Sequence, residues 1–279
     1  MKKIYPKIDA SFQGLHKLKK YIEKYRGVEI QILEEENGFF SMEEEIRTLM
    51  DLCPNTEEIT IHTPLDHYDL EMILLKDKNI VLEQLEVIKS LSMEYSIHIN
   101  LLYHTSWTFK EHQKYTIPYL QEILFSMKGF PVTFLLENVY TNLEKECTVL
   151  KLCKFIGDPQ LRVCLDLCHI YCLAHIFKEP IEVFMEKYLK KKDLQKYVKQ
   201  IHFASTREED GYKDHDRTHS TKHDTIGEMV KDVELLYSYG LYDGSFVTEI
   251  REEDFRSRED QVWEIETLED IDKMINTKD

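Results

Sequence analysis

Short runs rich in β-branched and aliphatic residues alternate along the chain with longer segments whose apolar positions recur every three and four residues among charges. The runs predict strands at residues 3–8, 28–33, 58–62, 97–104, 132–137, 162–166, 200–204 and 246–250. The segments between them predict helices at residues 15–25, 42–53, 81–95, 113–127, 143–156, 181–189, 229–239 and 260–275. Eight strand and helix pairs fit an α/β chain closed into a (β/α)8 TIM barrel better than an open doubly wound sheet. No low-complexity linker or break in composition interrupts the alternation, so residues 1–279 are read as a single TIM-barrel domain. The longest irregular stretch is expected at residues 205–225.

Composition narrows the classes further. Hydrophobic residues make up 42% of the 279, enough for a sizeable core, which excludes a disordered chain. No apolar run reaches signal-peptide or membrane-spanning length, so the expected location is cytoplasmic, away from membranes. With 52 acidic against 36 basic side chains the net charge is −16, which disfavours a protein that holds duplex DNA by neutralising many phosphates. Glycine-rich phosphate-binding fingerprints are absent. The six cysteines form no CxxC pair, and Cys164, Cys168 and Cys172 repeat at a spacing unlike that of an iron–sulfur site, so they are read as reduced, buried small hydrophobes. The acidic runs Glu34-Glu35-Glu36 and Glu43-Glu44-Glu45 and the cluster Lys190, Lys191 and Lys192 are read as solvated surface. His67 and Trp107 follow strand ends closely enough to line a pocket.

The chemistry lies in what ends each strand, because a barrel of this kind builds its active site at the C-terminal ends of its strands. The third predicted strand ends in His62, the fourth in His104, the fifth in Glu137 and the sixth in Asp166, with His169 three residues on. The seventh carries His202 and the eighth Glu249. Singly, each is an ordinary polar residue. Crowded into one barrel mouth, their carboxylates would repel and be costly to desolvate without a cation. Imidazoles mixed with carboxylates suit zinc, manganese, iron or cobalt better than magnesium.

This ordered set resembles the xylose isomerase-like barrel superfamily, which holds both endonuclease IV and a group of sugar isomerases and epimerases. The resemblance covers nearly the whole chain and rests on Glu137 in LLEN, Asp166 and His169 in LDLCH, His202 in IHF and Glu249 in VTEI. In the epimerase branch it implies one ion on Glu137, Asp166, His202 and Glu249, with Glu137 and Glu249 also carrying the proton. His62 in HTP and His104 in YHTSW resemble two further ligands of endonuclease IV. By that resemblance Glu137 bridges two ions, one also held by His62 and His104 and the other by Asp166, His202 and Glu249. A third would be held by His169 with an Asp-x-His pair after strand seven. His223, before Thr225-Ile226-Gly227, matches the histidine of that pair, but Thr221 stands where the aspartate is expected. Asp216 or Asp214 would then have to substitute from a rearranged loop, with His219 beside it; a solvated, charged lid is the other reading.

Two enzymes fit. In the favoured one, two or three zinc ions generate hydroxide near neutral pH and clamp the oxygens of a phosphodiester, which the resemblance extends to abasic sites in damaged DNA. In the alternative, a single manganese, cobalt or magnesium ion holds adjacent oxygens of a small sugar or sugar phosphate while Glu137 and Glu249 isomerise or epimerise it. A barrel that binds without catalysis is a third possibility, against which the complete ligand set argues.

Overall fold

The computed structural model describes residues 3–32, 42–63, 78–139, 147–206, 221–241, 243–250 and 257–276. Eight parallel strands close into a barrel in chain order: β1 (Ile4–Asp9), β2 (Gly27–Gln31), β3 (Glu58–His62), β4 (His98–Tyr103), β5 (Val132–Glu137), β6 (Leu161–Asp166), β7 (Val198–Phe203) and β8 (Ser245–Thr248). The seam closes where Ile4, Tyr5 and Pro6 of β1 pair with Phe246, Val247 and Thr248 of β8. The architecture is the (β/α)8 barrel that the alternation predicts, with β3 and β5 bounded as expected and the other strands shifted by one or two residues at one or both ends.

Among the described residues the helices are α1 (Leu15–Tyr25), α2 (Met42–Leu52), α3 (Lys78–Tyr95), α4 (Phe109–Tyr115), α5 (Ile117–Ser126), α6 (Thr148–Ile156), α7 (Leu167–Ile176), α8 (Ile181–Tyr188), α9 (Lys191–Tyr197), α10 (Ile226–Ser238) and α11 (Glu259–Asn276). The helix expected at residues 113–127 is two helices, because Pro118 lacks an amide donor and sits in the first turn of a new one. Helices α7 and α9 fall where none was expected; seven of the ten residues of α7 are buried, so its sequence carries little amphipathic period. The start of the helix expected at residues 143–156 and most of the irregular stretch at 205–225 lie outside the described residues. No helix among the described residues is long and apolar enough to cross a membrane.

Alternation along the strands sorts the side chains into two sets. One set, including Val28, Ile30, Ile59, Ile61, Ile99, Leu101, Phe134, Leu136, Ile201 and Phe203, joins the main hydrophobic core shared with the helices. The other points along the barrel axis and is unusually polar: Glu29, Glu58, Thr60, His62, Asn100, Glu137, Asp166, Gln200 and His202 are all buried. A small apolar cluster of Leu102, Leu135 and Cys164 lies among them. Their polar atoms satisfy one another across the barrel: Thr60 Oγ1 donates to Gln200 Oε1 (2.7 Å), and Asn100 Nδ2 to Thr60 Oγ1 (3.1 Å) and Glu58 Oε1 (2.9 Å). Tyr5 OH closes the bottom on Glu58 Oε2 (2.8 Å), and its ring leaves room only for glycine at position 27, where a Cβ would fall 2.2 Å from Tyr5 Cζ.

Candidate metal centre

Glu137 is the hub. It ends β5, only 2% exposed. Asn138 behind it exchanges two hydrogen bonds with the backbone of Asp166, accepting from its N (2.7 Å) and donating to its O (3.0 Å), which locks the ends of β5 and β6 in register. Asp166 is also the N-cap of α7, its Oδ1 accepting from His169 N (2.9 Å). The cap turns the first helical turn over the barrel mouth, so His169 Nε2 lies 3.4 Å from Glu137 Oε1 and 3.7 Å from Asp166 Oδ2.

The other oxygen of Glu137 faces three imidazoles: His62 Nε2 at 3.5 Å, His104 Nε2 at 3.0 Å and His202 Nδ1 at 3.6 Å. The His62 Nδ1 lies 2.9 Å from the Thr63 carbonyl, which only accepts, so the proton sits on Nδ1 and the lone pair of Nε2 is left for the centre. The rings of His62 and His104 meet edge to face at 5.0 Å, and those of His62 and His202 stack at 5.8 Å. His202 Nδ1 also faces Asp166 Oδ2 at 3.8 Å and Glu249 Oε2 at 2.5 Å.

Two charged residues that sequence reasoning missed complete the arrangement. Lys7 Nζ lies 2.5 Å from Glu249 Oε1 and 2.9 Å from Glu29 Oε1, and Glu29 Oε2 lies 2.9 Å from His202 Nε2. The signal was present as charged residues at inward positions of the strands IYPKID and GVEIQ, whose neighbours are buried on both faces.

Burial is the largest influence on each of these groups, and it opposes charge. Burial followed by the Lys7 ammonium pushes His62 below its ordinary pKa, which keeps it neutral. In Glu137 the burial cost is outweighed by His104 and His202, and in Glu249 by His202 and Lys7, so both carboxyls are held well below the usual range. Burial likewise opposes protonation of His202, but Cys164, Glu249, Glu29 and Glu137 together raise its proton affinity well above the ordinary value. Protons and metal ions compete for such atoms.

The donors fit a cation. The atoms of Glu137, Asp166, His202 and Glu249 lie within 4.8 Å of one another, as do those of His62, His104 and Glu137. His202 Nδ1 and Glu249 Oε2 are fully buried and face each other without hydrogen-bond geometry. Buried polar atoms left without a partner are what a divalent ion satisfies. A third such group, Glu29, His62 and His202, shares their histidines.

His62, His104, Glu137, Asp166, His169, His202 and Glu249 are thus brought together. His223 is not, which corrects its reading as a ligand of a third ion. Its ring stacks on Phe203 at 4.8 Å, on the helix side of β7, with Nδ1 2.8 Å from Glu264 Oε1 and Nε2 3.0 Å from Asp232 Oδ2. Both ring nitrogens are therefore engaged by carboxylates away from the barrel axis. Asp214, Asp216, His219 and His67 lie outside the described residues. Trp107 packs against His112 and Tyr115 at the start of α4. All six cysteines are buried and unbridged. Burial pushes the thiol of Cys164, beneath His202, up to about 12, so it is a neutral filler. A cavity of about 420 Å³, lined by Arg162, Lys199 and Asp243 near the N-terminal ends of β6 and β7, contains none of these residues.

A family described as the xylose isomerase-like TIM barrel matches residues 15–271. Among solved structures, a D-tagatose 3-epimerase-like protein is similar over 100% of this chain and 99% of its own, with 20% identity and a TM-score of 0.59. An AP endonuclease of family 2 from Brucella melitensis is similar over 94% of this chain and 98% of its own, with 14% identity and a TM-score of 0.59. An IOLI protein with a bound zinc atom is similar over 100% and 99%, with 12% identity and a TM-score of 0.64. At these identities the likeness concerns the fold. No curated protein matches the chain by sequence.

Proposed function

The chain belongs to the xylose isomerase-like TIM-barrel family, and from that premise we propose that it is a metal-dependent phosphodiester hydrolase of the endonuclease IV kind. The observation that carries this reading is the setting of Glu137, with Oε2 facing His62, His104 and His202 and Oε1 facing His169. A carboxylate whose two oxygens face imidazoles from different sides of a barrel is arranged to bridge ions. Under this reading His62, His104 and Glu137 hold one ion, and Glu137, Asp166, His202 and Glu249 the next. Zinc suits the nitrogen-rich donor set. Bound there, the ions would supply an acidified water and stabilise the entering and leaving oxygens of an in-line displacement at phosphorus.

The chain's own residues orient this chemistry. Asn138 and the α7 cap fix Glu137 and Asp166 before any substrate arrives. Lys7 ties down Glu249 Oε1 while its Oε2 faces His202. A carboxylate with one oxygen tied to an ammonium serves as a ligand better than as a mobile proton carrier, which favours hydrolysis over a two-base shuttle.

A single-ion isomerase or epimerase of a small sugar is the second reading. It is favoured by the group Glu137, Asp166, His202 and Glu249, which is complete without His62 and His104, and by the net charge of −16, which is no obstacle to a sugar. Elemental analysis of chain purified without chelator, with cleavage of a duplex carrying an abasic site, tests the two. Two or more zinc ions per chain and strand cleavage are expected; one exchangeable ion, an inert duplex and turnover of a ketose would establish the isomerase. His104→Ala should strip an ion from the polynuclear centre, whereas a residue that only touches a sugar would mainly raise KM.

A further inference from the structure

His202 raises a question of tautomer that its ligand role does not answer. It is 1% exposed, and both ring nitrogens face carboxylates: Nε2 faces Glu29 Oε2 at 2.9 Å, and Nδ1 faces Glu137, Asp166 and Glu249. A neutral imidazole has one N–H, and an ionised carboxylate can only accept it. The side that keeps the proton cannot bind an ion.

Glu29 is built to be that acceptor. It is 0% exposed, and the Lys7 ammonium lies 2.9 Å from its Oε1. Gln200 Nε2 donates to Glu29 Oε2 (2.6 Å), and the amide of Gln200 is itself oriented by Thr60 Oγ1, which donates to its Oε1 (2.7 Å). Gln200 Nε2 and His202 Nε2, both from β7 and 3.3 Å from each other, therefore converge on one oxygen of a carboxylate rooted in β2. Glu29 could instead share an ion with His62 and His202, whose donor atoms lie close enough. Lys7 Nζ, 2.9 Å from Glu29 Oε1, opposes that, because a cation there would be placed beside an ammonium.

We propose that Glu29 is a positioning residue: it accepts the Nε2 proton of His202, which fixes the tautomer that presents Nδ1 to the ion held by Glu137, Asp166 and Glu249. This rests on the metal-centre reading above. Carboxylates in this relation to a ligating histidine orient the ring and raise its basicity, and their loss lowers metal affinity roughly 10- to 100-fold.

The test uses the full chain, stripped with chelator and titrated with Zn²⁺ against a chromophoric competitor. Glu29→Gln keeps the shape and removes the charge. It should weaken one zinc per chain by roughly 10- to 100-fold and leave the remaining zinc binding unchanged. A merely structural role would instead lower the melting temperature of the ion-free chain and leave affinity intact. A folded Glu29→Gln variant with wild-type affinity overturns the proposal while the metal centre stands. A wild-type chain that binds no zinc overturns both. Because the variant can fail to fold, long-range ¹H–¹⁵N spectra of the zinc-loaded wild type, with His202 assigned by its loss in His202→Gln, decide independently. A proton on Nε2 and a coordinated Nδ1 are expected; the reverse tautomer overturns the proposal.

Discussion

At the scale of single residues, charge at Glu137 is what the centre is organised around. Glu137→Gln preserves shape and removes the charge that His62, His104 and His202 share, so activity should fall at least about a hundredfold and bound metal should drop, under either reaction. Turnover and elemental analysis of the folded variant check this, and full activity would refute both readings. His223 makes a separate prediction, since it serves stability. Burial opposes its charge, but Asp232 and Glu264 raise its pKa from 6.5 to about 9. A raised folded pKa stabilises fully below the unfolded value and is lost as pH climbs through the folded one. The contribution, roughly 3 kcal/mol, should therefore be present at pH 6 and disappear between about pH 6.5 and 9. Melting curves of wild type and His223→Gln should converge as pH rises through that window; a constant gap would count against the assignment. The sequence marked His223 as chemically active and could not show which way the ring turns, because Asp232 and Glu264 come from helices after it in the chain.

At the scale of elements, the strand ends were legible because the apolar runs of β3 to β8 stop at or within one residue of a candidate ligand. Strands β3 and β5 end at His62 and Glu137, as the pattern predicts. Helix α7 was hidden by the same burial that makes it useful. It starts on Asp166, which caps the helix through Oδ1 and faces the centre through Oδ2. The two roles separate by substitution. Asp166→Asn can still cap, so it should lose metal with little change in the stability of the ion-free chain, whereas Asp166→Ala should lose metal and about 1 kcal/mol besides. Chemical denaturation of both chelated variants measures the difference; equal losses would mean the cap contributes nothing. Glu29 and Lys7 were missed for a different reason. A charged residue in a strand reads as solvent-facing unless the barrel is known to bury that face.

At the scale of the whole molecule, the barrel concentrates acidic and imidazole groups at one end of its axis and joins them by buried polar contacts to Glu58 at the other. Ions that bind only the folded chain should stabilise it by mass action, by about 2.7 kcal/mol at a hundredfold excess over Kd. Saturating zinc should therefore raise Tm by several degrees and chelator reverse it, as calorimetry would show; a Tm indifferent to both would argue against a metal centre. The sequence by itself determined the barrel and the residue types at its mouth, because strand and helix periods are local and the candidate ligands sit at or close to strand ends. Only the tertiary structure decided which of those residues meet. It gathered six around Glu137, turned His223 outward to Asp232 and Glu264, and set Lys7 and Glu29 beneath His202. Those choices depend on barrel closure and strand register, which bring together residues as far apart as Lys7 and Glu249, and no local pattern encodes a contact across that span.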